Sequence, residues 1–461
     1  MIGNNVGRPF VRRAGSHLTP TRAFVLSFAL LIGLGAILLM IPGMATIHRL
    51  RPIDALFTAT SAVCVTGLTV VDTGTAFNLT GQWIILLLVQ TGGLGIMTFS
   101  LFFFRMMRLD ITLRDVFALG QSLTYRPRQD ILSLVRLVVL MTLAIEFLGA
   151  LSLFFFWLPD YSAPKAAYLA VFHSVSAFCN AGFSLWADSL TQYRTHFGIN
   201  LTFFALIISG GLGFIVLAEL GSLRQAASKR LSLHAKVVCW TTLVLLIAGG
   251  FLFLGLEWTN ILAGLTFPQK IIVSLFQTIT PRTAGFNSVD FNHLSNTTLL
   301  LTMFLMFIGG SPGSTAGGVK TVTLALLFAL ARSRYQGFSR VNLFKRTVPD
   351  EIVTRSLTIT LVAITIIGLA LLILLTTEVG SLDHVQTRDV FLRLLFEVIS
   401  AFSTVGLSMG TTADLTDWGK LTIILTMFLG RIGPLTVALA LISRHREGRK
   451  YHYGSEDLML G

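Results

Sequence analysis

The sequence predicts an all-α polytopic membrane protein of four tandem helix–pore loop–helix repeats around a pseudo-fourfold pore, with eight transmembrane helices. Three observations carry that expectation. Of 461 residues, 53% are hydrophobic and only 12% are charged, with a mean hydropathy of +0.76; an average soluble domain is ~25% charged. Eight apolar runs approach or exceed the ~20 residues that a bilayer crossing requires. Four shorter apolar stretches, each leading to a glycine, lie between them.

The first run, 24–41, follows Arg8, Arg12, Arg13 and Arg22. It resembles a secretory signal, but its apolar part is long for one and it opens a repeated series. The second, 83–104, is followed by Arg105, Arg108, Arg114, Arg126 and Arg128. Runs three to eight cover 131–158, 201–220, 237–256, 299–330, 352–375 and 421–442. Basic residues cluster again after the fourth (Arg224, Lys229, Arg230, Lys236), the sixth (Arg332, Arg334, Arg340, Lys345, Arg346) and the eighth (Arg444, Arg446, Arg449, Lys450). By the positive-inside rule these loops and both termini are cytoplasmic. The net charge of +13 therefore reports orientation, and no nucleic-acid partner is expected. Arg49 and Arg51, on the expected outer side, break the pattern. Cys64, Cys179 and Cys239 show no CxxC spacing and read as small buried residues, with neither a disulfide framework nor a zinc site.

The short stretches, at 53–65, 166–180, 271–280 and 390–404, are too short to span and read as re-entrant. Non-helical backbone at membrane depth is tolerated only inside protein or beside a watery cavity. Aligned, they run from Phe57 to Gly67, Phe172 to Gly182, Leu275 to Gly285 and Phe396 to Gly406, and each glycine is followed by Leu or Phe and a small polar residue. A second glycine cluster follows each, at Gly92, Gly210, Gly309 and Gly430. The repeats are expected at 1–110, 111–225, 226–340, with a broken second helix, and 341–461, with a cytoplasmic C-terminal tail.

A cation leaving water needs oxygen ligands, and inward-turned backbone carbonyls supply them. Glycine permits the required dihedrals. The expected ligands are the carbonyls of Val65, Thr66, Gly67; Asn180, Ala181, Gly182; Thr283, Ala284, Gly285; and Thr404, Val405, Gly406. The short helices can add the negative ends of their dipoles.

The sixth run is interrupted by Gly309, Gly310, Ser311, Pro312, Gly313, Ser314, Thr315, Ala316, Gly317 and Gly318. No helix should cross it intact, at ~1 kcal/mol per glycine and ~3 for proline, and it is placed to obstruct a pore. The segment nearly spells a phosphate loop, but Lys320 falls one place late and no strand precedes it; Lys320 is expected to face an inner vestibule. Arg431 lies mid-run, where a charge costs at least ~2.5 kcal/mol on insertion scales, and Glu146 is its candidate partner. His173 and Glu397, nine residues before their glycines as Thr58 is, are expected to brace the short helices. Asp72, Asp188, Asp290, Asp414 and Asp417 follow the loops, where they would concentrate cations. No catalytic triad or phosphorylatable Asp motif is present.

The four glycine loops, together with N-A-G-F at 180–183, R-T-A-G-F-N-S-V-D at 282–290 and G-R-I-G-P-L-T at 430–436, resemble the Trk/Ktr/HKT superfamily of potassium transporters, most closely its KtrB-type membrane subunits. The resemblance covers essentially the whole chain. It implies K⁺ uptake through a backbone-carbonyl filter, with K⁺ as the substrate ion, Na⁺ as a candidate activator and no organic cofactor. It also implies an intramembrane gate at 309–318 with Arg431 beside it, a homodimer in the bacterial cell membrane, and regulation by a cytosolic RCK-type nucleotide-binding ring (KtrA-like). Tetrameric potassium channels carry TVGYG, with two glycines per loop, whereas each loop here has one, so weaker discrimination against Na⁺ is expected. The alternatives are a Na⁺- or H⁺-coupled secondary carrier and, from a different class, an intramembrane enzyme using Ser314 with His173.

Overall fold

In the computed structural model, which describes residues 20–46, 50–106, 130–222, 231–381, 383 and 387–433, the chain is almost wholly helical. Helix α1 (Pro20–Met40) leads to the short α2 (Pro52–Val63) and to α3 (Leu79–Met106). Next come α4 (Asp130–Trp157), the short α5 (Ala163–Phe178), α6 (Phe197–Leu212) and α7 (Phe214–Ser222). Then follow α8 (Leu233–Leu256), the short α9 (Phe267–Ile279), α10 (Asn296–Phe307) and α11 (Thr321–Tyr335). A hairpin of β1 (Asn342–Leu343) and β2 (Arg346–Thr347) precedes α12 (Asp350–Leu374), α13 (Arg388–Ser403) and α14 (Asp417–Ile432). Three of the four short helices carry proline in their first turn, where its missing N–H costs nothing and its φ is already helical.

Helix length alone yields fewer crossings than the eight expected. Among the described residues four helices are long and apolar enough to span, Arg22–Met40, Val135–Trp157, Leu233–Leu256 and Asp350–Val379, with a bent pair as a fifth. The shortfall lies in the second helix of each expected unit, and glycine is the cause in most. The fourth run breaks at Gly213 (φ +84°), where α6 and α7 meet at 107°. In the sixth, α10 stops at Phe307 and α11 resumes at Thr321, around the predicted interruption. In the eighth, α14 stops at Gly433 (φ +89°). Only α3 continues through its cluster, over 28 residues. The end of the eighth run and most of the basic segments, at 107–129, 223–230 and 434–461, lie outside the described residues.

Each short helix packs on the long helix before it: α2 on α1, α5 on α4, α9 on α8 and α13 on α12. Each also packs on the second helix of the preceding unit: α5 on α3, α9 on α6, α13 on α10, and α2 on α14. The sequence of contacts thus returns to its start. Large apolar side chains such as Leu30, Phe147, Phe251 and Leu361 project outward, while Thr60, Ser61, Ser174, Ser176 and Ser400 are sealed inside. That distribution suits a lipid surround, in which polar groups must be satisfied internally.

Candidate functional site

Every short helix ends alike. The residue two places before the loop glycine is left-handed: Val65 (φ +55°), Asn180 (+59°), Thr283 (+71°) and Thr404 (+51°). The glycines follow at +91°, +68°, +77° and +92°. Asparagine tolerates this region, but β-branched valine and threonine rarely enter it, at a cost on the order of 1–3 kcal/mol each. Hydrogen bonds hold them there. The N–H groups of Thr66, Ala181, Ala284 and Val405 donate back to the carbonyls of Ser61 (2.7 Å), Ser176 (2.7 Å), Thr280 (2.9 Å) and Ser400 (2.8 Å). The Ser61 and Ser400 hydroxyls accept from Gly67 and Gly406 N–H at 3.0 and 3.2 Å, and those of Ser176 and Thr280 donate to the Phe183 and Phe286 carbonyls at 2.8 and 2.6 Å.

These four loops meet. A Cβ on Gly67 would strike the Ala181 carbonyl oxygen; one on Gly182 would lie 3.0 Å from that of Ala284; one on Gly285 would strike that of Val405; and one on Gly406 would strike that of Thr66. Each loop therefore abuts the next in chain order, and the fourth abuts the first. Val65, Thr66, Asn180, Ala181, Thr283, Ala284, Thr404 and Val405 are all buried. The buried hydroxyls of Thr66, Thr283 and Thr404 have no protein partner.

The second glycine clusters do a different job. A Cβ on Gly92, Gly210 or Gly430 would run into the carbonyl of Val63, Phe178 or Phe402, the residue four before each loop glycine. Helices α3, α6 and α14 thus rest on bare backbone at the ends of the short helices. Gly309 abuts the Gly317 carbonyl instead, because the chain leaves the helix there.

Ile308 and Val319 form a parallel bridge at the neck of the 309–318 segment, with Gly309 N–H on Val319 O at 2.9 Å and Thr321 N–H on Gly310 O at 3.0 Å. The segment folds against the C-terminal ends of α5, α6 and α13. Ser311 N–H donates to the Gly211 carbonyl at 3.0 Å, its hydroxyl donates to that of Leu212, and Thr315 reaches that of Gly210 through its N–H at 3.3 Å and its hydroxyl at 3.2 Å. Those carbonyls are available because α6 ends at Gly213. On the opposite flank, a Cβ on Gly317 would strike the Thr404 hydroxyl.

Two cations grip this segment. Arg431 Nη1 donates to the Thr315 carbonyl, and Lys320 Nζ turns back onto those of Ala316 (2.6 Å) and Gly317 (3.5 Å). Three successive carbonyls are thereby held. The expected pairing of Arg431 with Glu146 is not formed: the Glu146 carboxylate accepts from Gln90 at 3.1 Å and from Cys179 Sγ at 3.8 Å. The reason is position, since Glu146 lies on α4 among α3 and α5, whereas Arg431 lies on α14 among α2, α12 and α13.

His173 takes up its bracing position. Its Nδ1 donates to Leu169 O (2.8 Å), its Nε2 faces Ser184 Oγ (3.3 Å) and Leu185 N–H (3.4 Å), and its ring stacks on Trp186 with centroids 4.3 Å apart. Glu397 accepts from the Thr412 hydroxyl through one oxygen, and its other oxygen has no protein partner. Thr58 bonds only within its own helix, to Asp54 O at 2.8 Å. Three of the aspartates after the loops serve local turns: Asp72 accepts from Gly74 N–H (3.3 Å), Asp290 from Asn292 N–H (2.9 Å) and Asp188 from the Thr191 hydroxyl; Asp417 pairs instead with Arg51 at 3.0 Å. Ser314 donates to Ser311 O at 2.6 Å, and no bond joins it to His173. Sequence reasoning missed the bracing hydroxyls, although Ser61, Ser176 and Ser400 share one place in the alignment, six before the glycine. It also missed the grip of Lys320, which has no local sequence signal.

Residues 24–453 match the family described as TrkH, cation transport protein. The chain is similar to the potassium/sodium uptake protein NtpJ of Enterococcus hirae, 38% identical over 453 residues that cover 98% of this chain and 99% of that one. It is similar to the Ktr system potassium uptake protein B of Bacillus subtilis, 38% identical over 440 residues, covering 95% and 96%. In fold it resembles the crystal structure of the potassium transporter TrkH from Vibrio parahaemolyticus, with a TM-score of 0.74 over 94% of this chain and 86% of that one at 20% identity.

Proposed function

The chain belongs to the TrkH family of cation transport proteins, which are not enzymes, and on that footing we propose that it takes up K⁺, and Na⁺ less readily, through a pore where its four glycine loops meet. The observation that carries this reading is the closed order of contacts, Gly67 to Ala181, Gly182 to Ala284, Gly285 to Val405 and Gly406 to Thr66. Four expected repeats each contribute one loop to a pseudo-fourfold ring. A permeating ion exchanges its hydration shell for carbonyls of the triplets 65–67, 180–182, 283–285 and 404–406. The names of its relatives, a potassium/sodium uptake protein and a potassium uptake protein, support the choice of ion.

The 309–318 segment is the gate. It lies beside Thr404 and Phe178, immediately behind the loops, so ions pass only when it withdraws. Arg431 and Lys320 hold it closed and place positive charge beside the path. An inside-negative potential supplies ~2.3 kcal/mol per 100 mV for each monovalent ion, against ~1.4 kcal/mol for a tenfold inward excess, so no chemical coupling is required. The chain works as a homodimer in the bacterial cell membrane with Na⁺ as an activator; the likeness to a Ktr system protein supports control by a cytosolic nucleotide-binding ring, and the basic clusters support cytoplasmic termini.

Reconstitution of the purified chain in liposomes with ⁸⁶Rb⁺ or K⁺ tracer tests the pore. Wild type conducts, and Gly67→Ser, Gly182→Ser, Gly285→Ser and Gly406→Ser each lose flux or selectivity. Unchanged flux and selectivity in all four folded variants would overturn the reading.

A further inference from the structure

The hairpin between α11 and α12 belongs to neither the glycine loops nor the segment at 309–318. It is nevertheless built with care. Val341, Val348, Leu326 and Val353 form a small buried core under it. Ser333 Oγ donates to Arg340 O at 2.8 Å, Arg334 Nη1 to Ser339 O at 2.9 Å, and Val348 N–H to Val341 O at 2.9 Å. Its two-residue tip, Phe344 (φ +47°) and Lys345 (φ +62°), is left-handed at both positions, which is the geometry of a tight hairpin turn that Asn-Gly would adopt without cost. A phenylalanine there is strained, so the tip spends stability to present a large apolar ring and a cation.

What the hairpin presents is consistent along its length. Tyr335 (95% exposed) at the end of α11, Phe338 (59%) in the chain leading to β1 and Phe344 (47%) at the tip all stand out from this connection. Five cations, Arg332, Arg334, Arg340, Lys345 and Arg346, accompany them, and no acidic residue occurs from Lys320 to Pro349. Only Val348 and Pro349 separate β2 from α12, the candidate span Asp350–Val379. The patch therefore sits at a membrane boundary, where aromatic rings settle at headgroup depth and basic side chains meet lipid phosphates.

We infer that this hairpin is a binding site for anionic phospholipid headgroups, Phe344 and Tyr335 entering the interface while Arg340, Lys345 and Arg346 take the phosphates. The inference rests on the proposed reading of α12 as a membrane span. A membrane occupant fits better than an acidic protein because the aromatic rings and the start of the span lie together.

The test uses the full chain in mixed detergent micelles, following thermal unfolding as phosphatidylglycerol or phosphatidylcholine is added. Phosphatidylglycerol is expected to stabilise wild type more than phosphatidylcholine does. In Arg340→Gln/Lys345→Gln/Arg346→Gln the phosphatidylglycerol needed for half the effect rises roughly tenfold or more. Phe344→Trp, as an independent variant, is expected to show added indole fluorescence that brominated phosphatidylglycerol quenches. Equal responses of wild type and triple variant, or no quenching, overturn the site. A triple variant that keeps its lipid response but no longer retains a cytosolic nucleotide-binding subunit overturns it in favour of a protein-docking surface. Tracer flux in phosphatidylcholine liposomes separates this result from the pore reading: absent wild-type flux sinks the pore and leaves the lipid titration standing.

Discussion

Lys420 on α14 donates to Asp54 on α2 at 2.8 Å, across 366 residues of sequence. Both side chains are nearly sealed from solvent. Arg51 joins from outside, 2.9 Å from Asp54 and 3.0 Å from Asp417. The pair fastens the one seam in the circle of helix contacts that chain continuity does not join, between the first short helix and the last helix.

Removing Asp54 leaves Lys420 buried and unpaired, a loss of about 3–5 kcal/mol, whereas removing Lys420 leaves Asp54 its pairing with Arg51. Asp54→Asn is expected to lower the unfolding midpoint of the detergent-purified protein sharply, Lys420→Gln less so, and Asp54→Asn/Lys420→Gln to recover part of the Asp54→Asn loss. Strictly additive losses would show that the two side chains do not support each other.

At Gly67 an added methyl meets the Ala181 carbonyl and a φ of +91°, whereas Gly43 has the same φ with nothing within 4 Å. Both alanine variants bear the left-handed penalty of about 1 kcal/mol. On the proposed reading only Gly67→Ala deforms the ring, so tracer flux is expected to fall on the order of tenfold or more in Gly67→Ala and to persist in Gly43→Ala. Equal flux in both would detach Gly67 from conduction.

The segment at 309–318 hangs on charged donors. A hydrogen bond from a charged group contributes about 1.5–3 kcal/mol, so Arg431→Gln is expected to raise the open population, and K⁺ flux in liposomes, on the order of tenfold. Lys320→Gln acts the same way through the Ala316 carbonyl. A shorter segment lacking Pro312 to Ala316 should conduct at least as well as either variant; unchanged flux in all three would assign the segment a static role.

Glu257, just beyond the span Leu233–Leu256, accepts from Thr298 Oγ1 (2.5 Å), Asn260 Nδ2 (2.6 Å) and Ser295 N–H (3.0 Å). Burial pushes its carboxyl up, but those hydrogen bonds outweigh burial and hold it below the usual carboxylate range. Between the folded and the unfolded pKa the unfolded chain binds the extra proton, so stability rises with pH there. The contribution is present above the unfolded value of ~4.3 and is lost as pH falls through the folded value. Unfolding midpoints from pH 3 to 7 should show an acid-side decline that Glu257→Gln flattens.

The likeness of the four loops is legible in the sequence because it is written in spacing. Phe57, Phe172, Leu275 and Phe396 stand ten residues before their glycines, and the structure gives those glycines the same left-handed backbone. A further echo emerges only in the folded chain. Glu257 bonds Ser295 N–H, and Glu378 bonds Thr416 N–H at 3.0 Å, each pair 38 residues apart and each tying the C-terminal end of a long helix to the N-cap of the helix that follows the intervening short one. The sequence shows both pairs, but the surrounding residues differ too much for hydropathy to single them out. The break at Gly213 was missed because a glycine in an apolar run is compatible with a helix; its left-handed φ and the Ser311 hydroxyl beside it decided otherwise.

Hydropathy, basic clusters and glycine spacing are properties of neighbouring residues, so the chain alone was enough to establish a helical membrane protein with four like loops and an interrupted sixth run. Which carbonyl each glycine faces, why Arg431 holds Thr315 and leaves Glu146 to Gln90, and how Asp54 finds Lys420 depend on the angles at which distant helices cross. Those angles are set by packing of the whole molecule, where contacts of a few ångströms join residues hundreds of positions apart.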